Sequence, residues 1–153
     1  MNDIPLHTRR LVERLLGSYC ARICPPTARH AVLLDYRVEA DSATLYELRS
    51  ICGVAEMRRP VPLARFCYRA ARNEWRLYAA EEIDDESIVW RRYAARPAGR
   101  NFIELLRELD ADPRGIFWGR VDGKSLRWCS ARGRCADCDE KYCQVLGFID
   151  TVN

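Results

Sequence analysis

The chain has 153 residues, of which 48% are hydrophobic and 31% are charged, and its formal net charge is +3. This composition is that of one folded domain and excludes a disordered or fibrous chain, while the small net charge does not by itself indicate nucleic-acid binding. Since no apolar run approaches the roughly 20 residues of a membrane helix and Met1–Arg10 lacks the order of a secretory signal, we expect a cytoplasmic protein with no membrane contact.

The first predicted element is a helix from Pro5 to Ile23, where apolar residues recur at three- and four-residue steps before Pro25 and Pro26. Two strands follow at 31–38 and 44–51, around a turn at Asp41-Ser42. Charged residues stand at alternate positions in these strands, so we expect a hairpin with one polar face. They are Asp35, Arg37, Glu47 and Arg49.

Three further strands are predicted at 63–70, 75–80 and 88–93, and they complete a meander. A second helix begins after Asn101, whose side chain and that of Glu104 form a capping-box pattern, and it ends at Asp112-Pro113. The predicted fold class is therefore α+β, an antiparallel sheet covered on one face by the N-terminal and C-terminal helices. We expect residues 1–119 to form this domain, and residues 120–153 to form a hairpin and a metal-binding appendage.

Four cysteines lie close together near the end of the chain, with the spacing C-x5-C-x2-C-x4-C. They are Cys129, Cys135, Cys138 and Cys143. Two thiolates separated by two residues can reach one zinc ion at about 2.3 Å each, and four satisfy its tetrahedral coordination. A short polar loop has too little apolar surface to fold alone, so the metal would supply its folding free energy. The spacing favours zinc over buried thiols or a redox pair, and an iron–sulfur cluster is the alternative.

The other cysteines give weaker signals. Cys20 and Cys24 share one face of the first helix and could hold a metal or form a disulfide, but that face is apolar. Packing in the core is therefore the favoured interpretation for both. Cys52 and Cys67 have no informative spacing.

Several segments resemble the bacterial domain of unknown function family DUF3024. They are the strand Thr44-Leu45-Tyr46-Glu47-Leu48-Arg49, the segments Ala64–Tyr68 and Trp75–Tyr78, the aromatic residues Trp90 and Tyr93, and the stretch Asp110–Gly119. The resemblance covers residues from about 8 to 119 and departs from the family at Ser50, where members often have proline. Members end near the Phe-aromatic-Gly element, which implies that the cysteine loop is an addition. The resemblance implies an architecture and names no activity.

The favoured function is a non-catalytic binding module. If the strand faces alternate as predicted, one sheet surface displays a set of arginines interleaved with Glu47. These arginines are Arg37, Arg49, Arg65 and Arg69, and the aromatic residues available for stacking are Trp75, Tyr78, Trp90 and Tyr93. Such a surface suits single-stranded nucleic acid or an acidic protein segment. The competing interpretation is an ordinary solvated face whose aromatic residues belong to the core.

A metal-dependent nuclease is the alternative function. A helix, a strand with Asp35 and a strand with Glu47 and Arg49 resemble the order of elements in restriction-endonuclease-like enzymes. Carboxylates holding Mg²⁺ beside a cation are what metal-assisted phosphodiester cleavage requires. Arg49 stands where those enzymes have lysine, and a permanently charged guanidinium is a poor substitute for a tunable ammonium. A cross-strand set of ion pairs is therefore favoured over an active site.

Overall fold

The computed structural model describes residues 3–23, 33–51, 54–84, 87–96, 98–118, 120–121 and 124–125. Within them lie two α-helices and two antiparallel sheets. The helices are α1 (Leu6–Ile23) and α2 (Phe102–Ala111). The larger sheet contains β1 (Leu33–Val38), β2 (Ser42–Ile51), β3 (Val54–Arg69), β4 (Glu74–Glu82) and β5 (Ile88–Arg92). A short hairpin is formed by β6 (Arg120–Val121) and β7 (Lys124–Ser125).

The five strands of the larger sheet are ordered β1-β2-β3-β4-β5, and each pairs antiparallel with the next. One face of this meander is buried under α1 and α2. Phe102 of α2 contacts the rings of Phe66 and Trp75, with ring centroids 4.7 and 5.0 Å apart, and Val12 and Leu16 of α1 are fully buried. The predicted α+β fold class is confirmed.

The third strand is longer than predicted, because it begins at Val54 and includes Pro60 and Pro62. Proline has no amide hydrogen to donate to a ladder, so it is expected at a strand edge or a bulge. Both conditions hold here. Pro60 and Pro62 lie at an edge, because β4 pairs with β3 only from Ala64 onward. A bulge follows them, because the pairing of β3 with β2 shifts between Leu45 and Tyr46, where Leu63 is the extra residue.

The predicted polar face of the first hairpin is wrong in one respect. Glu47 shares a face of β2 with Ala43 and Leu45 and is only 1% exposed, whereas Asp35 is exposed on the opposite face. The register explains this, since Glu47 pairs with Leu34 and not with Asp35. The fully buried Ala43 and Leu45 fix which face of β2 meets the core. Because side chains alternate along a strand, Glu47 must lie on that same buried face.

Both ends of α2 are fixed by side chains. Asn101 caps the start as predicted, since its side chain accepts a hydrogen bond from the Ile103 amide at 3.1 Å. Glu104 instead pairs with Arg96 at 3.4 Å. At the other end Asp112 adopts the left-handed conformation (φ 41°), and its carboxylate accepts hydrogen bonds from the amides of the 116–118 segment. This anchors the buried Phe117 and Trp118 beside the helix.

Candidate functional site

The face of the sheet opposite α1 and α2 is called the open face here. Its most regular feature is a row of five residues that are neighbours from strand to strand across the whole sheet. The row consists of Arg37, Thr44, Arg65, Tyr78 and Arg92, and we call it the arginine row. Since adjacent strands lie about 4.8 Å apart, it places three arginines at intervals of two strands, or roughly 10 Å.

Arg65, at the centre of the arginine row, is held in place from two sides. Its Nε donates a hydrogen bond to Oγ1 of Thr44 at 3.2 Å, and its guanidinium carbon lies 4.6 Å from the ring centroid of Trp90. Thr44 is only 2% exposed, so the hydroxyl is a fixed acceptor. A cation over an indole face is stabilised by the ring quadrupole, by about 0.5–1 kcal/mol at an exposed site. The guanidinium is therefore oriented before any ligand arrives.

The remaining charges of the open face are arranged around this row. Arg76 and Glu74 form an ion pair along β4, with Nε and Oε1 at 3.8 Å, and Arg37 lies 4.0 Å from Glu39. The Arg37 pair is largely exposed, so it contributes little and does not prevent Arg37 from binding an anion. Arg69 lies opposite Glu74 in the register.

The structure brings together most of the predicted binding residues. Arg37, Arg65 and Arg69 share the open face. The backbone of Arg49 pairs with Arg59, and the Arg49 side chain lies outside the described part of the chain. Sequence analysis missed Arg92, although continued alternation along β4 and β5 would have placed it on this face.

The aromatic residues named for stacking divide between two places. Tyr78 and Trp90 lie on the open face, and both are partly exposed. Trp75 and Tyr93 are each only 2% exposed in the core. Trp75 packs on Phe102, and Tyr93 donates a hydrogen bond to Glu108 at 2.8 Å. Of these four residues, only Tyr78 and Trp90 can therefore meet a ligand on the open face.

The residues of the nuclease alternative are not brought together. Asp35 extends from the open face, and Glu47 points to the opposite side, where its neighbours in the register are Leu34 and Val61. Asp35 is also engaged by its own strand, since its Oδ1 accepts a hydrogen bond from the Tyr36 amide at 2.8 Å. Two carboxylates on opposite faces of a sheet cannot share one metal ion.

The described cysteines, Cys20 and Cys67, are partly buried free thiols. Cys20 packs against the core, and burial, with a smaller contribution from the charge of Asp35, raises its pKa to about 12. Burial also raises the pKa of Cys67 on the open face. Among the described residues no group of three His, Cys, Asp or Glu side chains could hold a metal. Cys24 and the four predicted zinc ligands, Cys129, Cys135, Cys138 and Cys143, lie outside those residues.

A shallow groove separates the two helices on the other side of the molecule. It has a volume of about 310 Å³ and is lined mainly by Leu15, Tyr19, Ile103 and Leu106. The hydroxyl of Tyr19 donates a hydrogen bond across the groove to Oδ1 of Asp110 at 3.0 Å. The groove has the character of helix packing more than of a polar ligand site.

A five-stranded meander with two helices on one face and the arginine row on the other places the chain among α+β proteins with an open sheet surface. The chain belongs to the family described as Domain of unknown function (DUF3024), whose model matches residues 4–119. That match includes α1, the whole five-stranded sheet, α2 and the segment from Asp112 to Trp118, and it ends before the four-cysteine pattern. No curated protein and no solved structure matches the chain. None of the described helices is long and apolar enough to cross a membrane.

Proposed function

We propose that this protein is a non-catalytic module that binds single-stranded nucleic acid on the open face of its sheet. The observation that supports the proposal most is the arginine row, with Arg65 held between Thr44 and Trp90. A pre-oriented guanidinium loses less conformational freedom when it binds an anion.

The row combines the two kinds of group that single-stranded nucleic acids need. Guanidinium groups bind backbone phosphates through paired hydrogen bonds. Tyr78 lies between Arg65 and Arg92 in the row, and Trp90 lies beside it on β5. Aromatic side chains stack on unpaired bases, which contributes about 1–3 kcal/mol per base without sequence preference.

A single strand fits this surface better than a duplex does. In a duplex the base faces are stacked on one another, so the partly exposed rings of Tyr78 and Trp90 would have no base to stack on. The open face is the surface of a five-stranded sheet, and α1 and α2 lie on its other face, so neither of these helices could enter a major groove from it. We therefore expect preference for unpaired strands and weak dependence on base sequence.

The first experiment measures the fluorescence anisotropy of labelled single-stranded DNA and RNA with the wild type, Arg65→Gln and Arg65→Lys. Loss of the central guanidinium should weaken binding at least about tenfold, since hydrogen bonds to charged groups contribute about 1.5–3 kcal/mol. Arg65→Lys keeps the charge but not the planar fork, so it should recover only part of the affinity. The matched control is Arg14→Gln, which removes one charge from an exposed position on α1 and should bind as the wild type does.

The aromatic contribution is tested separately with Trp90→Leu and Tyr78→Leu. Tyr78→Leu should weaken binding to an oligonucleotide and leave binding to a poly-glutamate peptide unchanged, because only bases offer a stacking partner. Trp90→Leu also releases the Arg65 guanidinium, so it should weaken binding of both and affect the oligonucleotide more. If the peptide binds as tightly as the oligonucleotide and Tyr78→Leu has no effect, the partner is an acidic protein segment. If no oligonucleotide binds at any tested concentration, the proposal is wrong.

We further propose that Cys129, Cys135, Cys138 and Cys143 hold one zinc ion in an appendage outside the DUF3024 domain. The support is their spacing and the polar composition of the segment, which also contains Arg132, Arg134 and Lys141. These cations would offset the negative charge of four thiolates around a divalent metal. The zinc contributes to folding of the appendage and has no open position for catalysis.

Elemental analysis of purified protein should find one equivalent of zinc, which a Cys135→Ser, Cys138→Ser double variant loses. Cys20→Ser is the matched control, since Cys20 is a partly buried thiol that should not affect metal content. One or more equivalents of iron with sulfide would assign a cluster instead. Protein purified without any stoichiometric metal would contradict this part of the proposal.

A further inference from the structure

The outer strand β5 has an open backbone edge. Tyr93 donates to the Leu77 carbonyl at 2.9 Å, and Ile83 donates to the Ser87 carbonyl at 3.0 Å. These hydrogen bonds at the two ends show that the backbone N–H and C=O groups of the odd-numbered residues from Ser87 to Tyr93 point toward β4. In an antiparallel ladder the intervening residues face the other way. The backbone amides and carbonyls of Ile88 and Trp90 therefore point away from the sheet, where no described residue bonds to them.

The opposite edge of the sheet is treated differently. On β1 the outward amide of Tyr36 is occupied by the carboxylate of Asp35, and the outward carbonyl of Val38 accepts a hydrogen bond from Arg9 at 2.9 Å. Natural sheets blunt exposed edges in such ways, because an open edge is a template for another strand. The chain thus protects β1 and leaves the outward backbone groups of Ile88 and Trp90 on β5 open.

The side chains along β5 are complementary to a second copy of the same strand. The first three residues of the strand are apolar, with Ile88, Val89 and Trp90, and Val89 is 38% exposed. The strand ends with Arg91 and Arg92, and Arg91 forms an ion pair with Glu81 of β4. The sequence 81–86 before the strand carries five acidic residues. An antiparallel copy of this segment would place apolar residues opposite apolar ones and the basic end of one chain beside the acidic sequence of the other.

We infer that two copies of this chain pair along β5 to form a dimer with one continuous sheet. For the ladder to continue, the outward backbone groups of one copy must face those of the other. A two-fold axis at Val89 meets this condition and places Ile88, Val89 and Trp90 of the two copies opposite one another. Ile88 of one copy then exchanges backbone hydrogen bonds with Trp90 of the other. The two open faces become contiguous, with both Trp90 side chains near the axis. This inference does not depend on the proposed nucleic-acid binding.

The test is sedimentation of the full chain without nucleic acid, over a range of protein concentrations. The wild type should sediment as a particle of twice the 17.7 kDa chain mass. Val89→Asp and Val89→Lys each place two like charges across the axis, where non-hydrogen-bonded partners have Cα atoms about 4.5 Å apart, so each variant should be monomeric. Mixing the two variants places opposite charges together and should restore the dimer.

Each outcome decides the inference. A monomeric wild type overturns it, and so does a dimer that persists in both single variants, since the contact then lies elsewhere. Two monomeric variants that do not associate on mixing overturn the two-fold arrangement at Val89. Circular dichroism of each variant checks that the sheet is retained, and Val89 tolerates the change because its side chain is already partly in water. Recovery on mixing cannot arise from unfolded chains.

Discussion

Replacing Asp112 by asparagine should destabilise the domain strongly, although no ligand contact is involved. Asp112 is 1% exposed. Its Oδ1 accepts hydrogen bonds from the amides of Ile116 and Phe117 at 2.8 and 3.2 Å, and its Oδ2 accepts one from the amide of Trp118 at 2.8 Å. The two later amides are buried, so water cannot replace the carboxylate.

The size of the effect follows from these bonds. Asparagine retains one carbonyl oxygen for Ile116 and Phe117 but presents an amide group to the Trp118 amide. One charge-assisted hydrogen bond is lost and the others weaken. Since each hydrogen bond to a charged group contributes about 1.5–3 kcal/mol, we expect the free energy of unfolding to fall by about 2–4 kcal/mol. Asp112→Ala loses all three bonds and adds the cost of a left-handed alanine, about 1–2 kcal/mol, so its effect should be larger.

Urea unfolding followed by tryptophan fluorescence measures this directly. In a chain of this size the melting temperature should also fall by about 2–4 °C for each kcal/mol lost. The control is Asp41→Asn at an exposed turn, which should change stability by no more than about 0.5 kcal/mol. If Asp112→Asn is as stable as this control, the carboxylate does not anchor the loop and the described packing of Trp118 is wrong.

Three further predictions concern single groups. Burial and the hydrogen bond to Glu108 raise the pKa of Tyr93 from 10.0 to about 12. The contribution of the protonated Tyr93 hydroxyl to the free energy of unfolding should therefore be complete below pH 10 and should be lost as the pH rises through 12. Tyr93→Phe should remove this dependence from urea unfolding measured across that range, and an unchanged profile would refute the assignment. Gly17→Ala should stabilise α1 by up to about 1 kcal/mol, because alanine favours a helix more than glycine does. The added Cβ would lie 3.5 Å from the Tyr36 side chain, which is an ordinary van der Waals distance, and a loss of stability would mean that the packing is tighter than this. Cys20, with its pKa near 12, should react with iodoacetamide at least about a hundredfold more slowly than in unfolded protein, as read by peptide mass spectrometry. Comparable rates would show that the thiol is accessible.

Sequence patterns were sufficient for the elements and their order. The helical period of α1, the Asn101 cap and the alternation of β4 are local signals, and the structure bears out all three. The length of β3 was missed because prolines usually interrupt strands. Pro60 and Pro62 fit only because β4 is absent beside them, which is a property of the register and not of the local sequence.

The candidate site was only half predictable for the same reason. Alternation placed Arg37, Arg65 and Arg69 on one face, but local alternation could not decide that Glu47 faces the other side. That depends on which neighbours reach the core, and Ala43 and Leu45 decided it. The contact between Arg65 and Trp90 joins residues from strands that are not adjacent, so no pattern along the chain reveals it.

The salt dependence of oligonucleotide binding tests the central proposal most directly. A single strand that contacts the three arginines of the arginine row should give a slope of about −2 in a plot of log affinity against log salt, since each neutralised phosphate contributes about −0.7. Arg37→Gln should reduce that slope by about 0.7, and Arg14→Gln on α1 should leave it unchanged. Binding that is indifferent to salt, or a slope that Arg14→Gln lowers as much as Arg37→Gln does, would contradict recognition by the open face.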